Sequence, residues 1–194
     1  MARDISAIIQ GLVDKLKKRG RSEDDIARAV DARGEVVLDK IADAIAEKAR
    51  KPGESFPVSV NYDLPLREAI DAGNYQGVNV SITSENFPST RHGQAEVDIV
   101  LLRYDGRMAS EEVLARLDKD GYRPAELPEF LAFGATYPEV QRQFSVVGLG
   151  SAWKDRKGYR NVPCLYEASE ARYLDLHWWD DGWYSHSRFA AIRK

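Results

Sequence analysis

The chain has 194 residues, of which 43% are hydrophobic, 30% charged and 10% aromatic, and its net charge is −3. That balance belongs to a globular chain and excludes the highly charged, weakly hydrophobic class that stays disordered. No basic excess exists to draw in phosphate backbones, and the single cysteine, Cys164, excludes both an intramolecular disulfide and a cysteine-rich zinc site.

The first fifty residues read as a helical module. Ile5, Ile8, Ile9, Leu12, Val13 and Leu16 recur at helical spacing, so 4–19 is predicted to be an amphipathic helix stopped near Gly20. Ser22 is placed to cap a second helix, with Ile26, Ala29 and Val30 on its apolar face. A third helix over 35–50 carries Val37, Leu38, Ile41, Ala42 and Ile45 and ends at Lys51-Pro52-Gly53. Lys15, Lys17, Lys18, Arg19 and Arg21 invite a DNA-reading role, but Glu23, Asp24, Asp25, Asp31, Glu35 and Asp39 interleave with them. The mixture fits a solvated or oligomerising face better.

From Phe56 the period changes to two. Phe56, Val58, Val60 and Tyr62 give a strand; 66–72 gives a short helix or turn closed by Gly73; Val78, Val80 and Ile82 give another strand; 84–93 is a loop holding His92. Val97, Ile99 and Leu101 define a strand over 95–104. Ser110 is expected to cap a helix carrying Val113, Leu114 and Leu117, which stops at Asp120-Gly121. Leu127, Phe130 and Leu131 predict a helix with Pro128 in its first turn, ending at Gly134. Val146-Val-Gly-Leu149 reads as a short buried strand and 154–161 as a hairpin or loop. Strands over 162–165 and 174–178 are expected to pair across an exposed connection, 166–172. Cys164, between Pro163 and Leu165, reads as a small buried hydrophobe.

The last twenty residues hold three of the four tryptophans. Period two puts Leu174, Leu176 and Trp178 on one face, expected to be core, and Tyr173, Asp175, His177 and Trp179 on the other. Trp153, Trp178 and Trp183 are read as scaffold, and Trp179 as an exposed anchor. Beyond the turn-prone Asp180-Asp181-Gly182, the run Tyr184-Ser185-His186-Ser187 supplies further aromatic and small polar groups. Such a composition offers rigid contact area with adaptable hydrogen bonds and suits binding.

Tyr122-Arg-Pro-Ala-Glu-Leu-Pro-Glu-Phe130 follows one helix and precedes short strands that close on Arg188-Phe-Ala-Ala-Ile-Arg193. In this order the chain resembles the C-type-lectin fold, in the branch shared by formylglycine-generating enzymes and the variable proteins of diversity-generating retroelements. In that branch an Arg-x-Pro or Leu-Pro helix start precedes the core and an Arg-Phe type strand closes the domain. Leu149-Gly-Ser-Ala-Trp153, Asn161-Val-Pro163, Leu174-x-Leu-x-Trp178, Trp183 and Arg188-Phe189 belong to the same resembling framework. It covers about residues 95–194 and extends more weakly over 54–94.

The resemblance implies an α+β, C-type-lectin-like domain over 54–194, with short antiparallel strands and two helices. The helical module over 1–53 precedes it, and a variable display region occupies about 150–187. Adenine-directed mutagenesis in such proteins cannot produce Lys, Glu, Gln, Met or Trp. Tyr166, Tyr173, Asp175, His177, Asp180, Asp181, Tyr184, Ser185, His186 and Ser187 are all within reach, whereas Glu167, Glu170 and Trp179 are not.

The expected function is therefore non-enzymatic binding of a varied protein or other macromolecular ligand through those positions and Trp179. No cofactor, metal or nucleic acid is expected, and the N-terminal helices are a candidate homo-oligomerising element. The formylglycine-generating reaction needs a cysteine pair, which Cys164 alone does not provide. No phosphate-binding, dinucleotide, nucleophile-elbow or zinc-protease motif occurs. Alternatives are a DNA-associated regulator acting through the helices and a formylglycine-type or metal-dependent enzyme built on His177, His186 and their neighbouring aspartates. The location expected by default is the cytoplasm, without a signal peptide or a membrane span and with another export route left open.

Overall fold

A computed structural model describes Asp14, Ser22 and residues 17–20, 24–25 and 55–194. The chain divides into two compact units, Met1–Ala49 and Arg50–Lys194. Within the first, Asp14, Lys17, Lys18, Asp24 and Asp25 are helical, and a turn at 19–20 separates the two stretches. Ser22 caps the second as expected: its Oγ accepts the Asp25 N–H at 3.1 Å. Most of the predicted first and second helices, and all of the third, lie outside the described residues.

The second unit mixes one many-stranded sheet with three α-helices among the described residues. In chain order the elements are β1 (Ser55–Asn61), α1 (Leu66–Ala72), β2 (Gly77–Val78), β3 (Gln94–Leu102), α2 (Ser110–Lys119), β4 (Tyr122–Pro124) and α3 (Leu127–Thr136). There follow β5 (Val146–Val147), β6 (Trp153–Lys154), β7 (Arg160–Ala168), β8 (Ala171–Trp178) and β9 (Arg188–Arg193). The sheet runs β1-β3-β9-β5-β7-β8-β2, with β4 against β9 and β6 against β7. β9 thus lies inside the sheet, antiparallel to β3 and β4 and parallel to β5.

Both faces of the sheet are covered. Because alternate residues point to opposite faces, Ile99, Val146, Ala190 and Ile192 enter one core while Val100, Val147, Phe189 and Ala191 enter another. The first core receives Phe56, Val58 and Val60 of β1, Ile70 of α1 and the apolar side of α3, of which Phe130, Leu131 and Phe133 have no exposed surface. Each of these three side chains contributes about 2–3 kcal/mol by burial. The second core receives Val113 and Leu117 of α2 together with Trp179 and Trp183.

Several expectations change in detail. Ala109, not Ser110, is the N-cap of α2; Ser110 is buried, and its hydroxyl donates to the Trp179 carbonyl at 2.7 Å and accepts the Trp183 indole N–H at 2.8 Å. Gly134 does not end α3, which runs on to Thr136; a Cβ at that position would meet the Tyr75 hydroxyl at 2.1 Å, so the glycine marks a close approach. The strand expected over Val78–Ile82 stops at Val78. Asn79 then turns the chain, leaving Val80 exposed and Ile82 buried.

The largest correction concerns the connection expected over 166–172. β7 and β8 instead form one hairpin paired from Asn161↔Trp178 to Ala168↔Ala171, and the turn is only Ser169-Glu170. Arg172 is buried. It donates to the Gly73 carbonyl at 2.8 Å, the Gly134 carbonyl at 2.7 Å and Gln141 Oε1 at 3.0 Å, tying the hairpin to the ends of α1 and α3.

Candidate binding site

The hairpin register assembles the site. Paired residues point to the same side, so Tyr166 meets Tyr173, Cys164 meets Asp175 and Val162 meets His177 on the face of the second core. The two tyrosine rings stack at 5.3 Å. Asp175 is held by three donors: the Tyr166 hydroxyl at 3.2 Å, Asn79 Nδ2 at 2.7 Å and the Leu176 N–H at 2.7 Å. His177 packs against the Trp183 ring at 4.9 Å, and its Nδ1 lies 3.2 Å from the Trp178 carbonyl. A carbonyl only accepts, so that bond requires the proton on Nδ1 and leaves Nε2 as an acceptor in the neutral ring.

The chain after β8 folds back over this face. A 3-10 turn, Trp179–Asp181, leads to Trp183, which exchanges backbone hydrogen bonds of 2.9 and 2.8 Å with Met108. Arg107 donates to the Asp181 carbonyl at 2.9 Å and sits over the Tyr184 ring, and the Ser187 N–H closes a turn onto the Tyr184 carbonyl at 2.9 Å. Between sheet and loop lies a cavity of about 650 Å³. Its walls include Tyr166, Asp175 and His177 from the hairpin and Asp181, Tyr184, His186 and Ser187 from the loop.

Seven of the eleven residues singled out from sequence therefore line one cavity. Tyr173 stands behind Tyr166, and Ser185 is exposed in the loop, its carbonyl accepting from Arg188 at 3.1 Å. Ser187, though a lining residue, is itself almost wholly buried. Asp180 faces elsewhere, pairing with Arg160 at 2.8 Å.

Trp179 is a correction. It is 6% exposed, its indole N–H donates to Glu111 Oε1 at 2.7 Å, and the Arg160 guanidinium covers its ring at 4.7 Å. The expected exposed anchor is a buried strut, whereas Trp178, expected to be core, is 55% exposed. Trp178 does lie on the face of Leu174 and Leu176, but it stands at the end of β8 against Tyr159, outside the first core. The 3-10 turn then directs Trp179 into the second core.

Burial and neighbouring groups set the electrostatics around the cavity. Burial, with Asp175 nearby, pushes the Cys164 thiol up to about 12, so at neutral pH it is not a thiolate nucleophile. Burial and Asp175 also raise the Tyr166 phenol. The hydrogen bond from Trp179, followed by those of its own backbone and of Arg160, holds Glu111 below the usual carboxylate range. Among the described residues no group of three His, Cys, Asp or Glu side chains is placed to hold a metal ion, and no helix is long and apolar enough to cross a membrane.

Sequence reasoning missed Asn79 and Arg107, which fix Asp175 and the loop. Each lies more than seventy residues from its partner, and neither had a local signal. A separate, apolar cavity of about 430 Å³ between α1, α3 and β1 includes none of the predicted residues.

Comparison with protein-family models, with curated proteins and with solved structures finds no match to this chain.

Proposed function

We propose that the chain is a non-enzymatic binding protein that engages a macromolecular ligand through the cavity between the β7–β8 hairpin and the 180–187 loop. The reading extends to a C-type-lectin-like frame whose display positions are diversified by a retroelement. The observation that carries it is convergence: seven of the ten residues chosen for composition and codon reach line one concave surface. The framework residues Trp183 and Phe189 are buried beneath them. Leu149-Gly-Ser-Ala-Trp153 also acts as frame. The Ser151 hydroxyl accepts the Leu127 N–H at 2.8 Å, and Gly150 approaches so closely that a Cβ would lie 2.3 Å from the Ala125 carbonyl oxygen.

A frame of this kind keeps ordering costs low on binding, because contacting side chains vary while the backbone that presents them does not. The test is deep sequencing of the 3′ end of the gene and its flanking DNA across a natural population. Substitutions concentrated at Tyr166, Tyr173, Asp175, His177, Asp180, Asp181 and 184–187, beside a near-identical repeat with adenines at those codons, are expected. A uniform sequence without a repeat, or variation spread equally over buried positions, would overturn diversification.

A further inference from the structure

A second groove lies outside that cavity, on the opposite face of the sheet from His177. Register places Trp153, Asn161 and Trp178 side by side across β6, β7 and β8, and Tyr159 two residues before Asn161 falls on the same face. The Tyr159 and Trp178 rings stack at 5.7 Å and 23°, yet 53% and 55% of their surfaces remain exposed. Tyr159 and Trp178 are, with Tyr184, the exposed large aromatic side chains among the described residues. The stacked pair floors this groove, of about 690 Å³, between the 153–160 hairpin and the turn at Ser81–Asn86.

The groove carries three cations, Lys154, Arg156 and Lys157, against two carboxylates, Asp155 and Glu85. None of the three cations forms an ion pair with a described residue. Of the two acids there, Asp155 is committed to the hairpin turn, its Oδ1 accepting the Lys157 and Tyr159 N–H groups at 2.9 Å each. Glu85 is the remaining carboxylate. An exposed aromatic stack beside cations that pair with no described residue matches a ligand with a planar ring and a negative charge in the same unit, because the outer face of the stack holds the one and the cations the other. A net charge of −3 argues against an extended basic face but does not govern three cations on one hairpin.

We propose that this groove binds a nucleotide unit, with the base on the outer face of the Trp178–Tyr159 stack and the phosphate on Lys154, Arg156 and Lys157. The same chemistry occurs in a free nucleotide and in a single strand of nucleic acid. The test is titration of the full chain with a fluorescein-labelled twelve-residue oligothymidylate, and separately with thymidine monophosphate, at about 50 and 200 mM salt. Heparin and poly-glutamate serve as acidic polymers that lack a base.

Binding of the oligonucleotide or the mononucleotide is expected. Trp178→Ala should weaken it about tenfold, Trp178→Phe should restore most of the loss, and Lys154→Ala/Arg156→Ala/Lys157→Ala should flatten its salt dependence. Preference for the oligonucleotide assigns a strand and equal affinity per unit a free nucleotide. Absence of binding to both, binding indifferent to Trp178→Ala and to Tyr159→Ala, or equal Trp178-dependent binding of heparin or poly-glutamate would overturn the proposal. The last result would assign an acidic glycan or protein instead.

Discussion

Glu129 has no exposed surface and is nevertheless ionised, and the groups that hold it explain where α3 begins. Arg123 grips both carboxylate oxygens at 2.7 and 2.9 Å, the Tyr62 hydroxyl donates at 2.7 Å, and the Glu126 N–H donates at 2.8 Å to close the first turn. Burial by itself would raise the Glu129 carboxyl, but Arg123, the Glu126 N–H and Tyr62 together hold it below its ordinary value of 4.5. Its stabilisation is therefore complete above that value and is lost as pH falls through the depressed one. Glu129→Gln should cost about 3–5 kcal/mol at neutral pH, since it leaves Arg123 half-buried without its charge partner. In urea unfolding at a series of pH values, the variant should also lose less stability than the wild type on acidification. An unchanged acid limb would mean that another carboxylate carries it. At the alkaline end Tyr62, pushed up to about 12 by burial and then by Glu129, stabilises the fold fully below its ordinary 10.0 and ceases to as pH rises through about 12.

At the scale of elements, the β7–β8 hairpin decides most. Its register creates the cavity row on one face and the aromatic row on the other, so a slip of one residue would exchange the two. The turn that fixes the register is not optimal: Ser169 and Glu170 have φ of 51° and 65°, a left-handed conformation that costs side-chain-bearing residues about 1–2 kcal/mol each. Asn-Gly suits such a turn. The double substitution Ser169→Asn/Glu170→Gly should stabilise the protein by about 1 kcal/mol and raise Tm by about 2–4 °C in a thermal melt. The bond from Arg142 to the residue-170 carbonyl, at 2.9 Å, is a backbone contact and survives the change. A lowered Tm would mean that the Glu170 side chain itself holds the turn.

At the scale of the molecule, both hydrophobic cores of the described residues lie within Arg50–Lys194. A chain truncated to that unit should unfold cooperatively, with a midpoint within a few degrees of the full chain in calorimetry. The proposed oligomerising role of the N-terminal helices has its own readout. The truncated unit should be monomeric by light scattering where the full chain is not, and an unchanged size would sink that role while leaving the cores untouched.

Local pattern in the sequence determined the elements whose signals are local: the period-two strands β1 and β3, the helices α2 and α3, the Ser22 cap and the burial of Cys164. It also singled out seven of the residues that line the candidate cavity, because aromatic and small polar side chains cluster in one terminal run. Only the tertiary structure decided which side of that run is covered. Alternation assigns a residue to a face, but burial depends on what packs there, so Trp178 at the end of β8 is exposed while the 3-10 turn encloses Trp179 in the second core. The buried Arg172 and the distant supports Asn79 and Arg107 follow the same rule. Each is fixed by partners remote in sequence, and no local pattern encodes a contact across such separations.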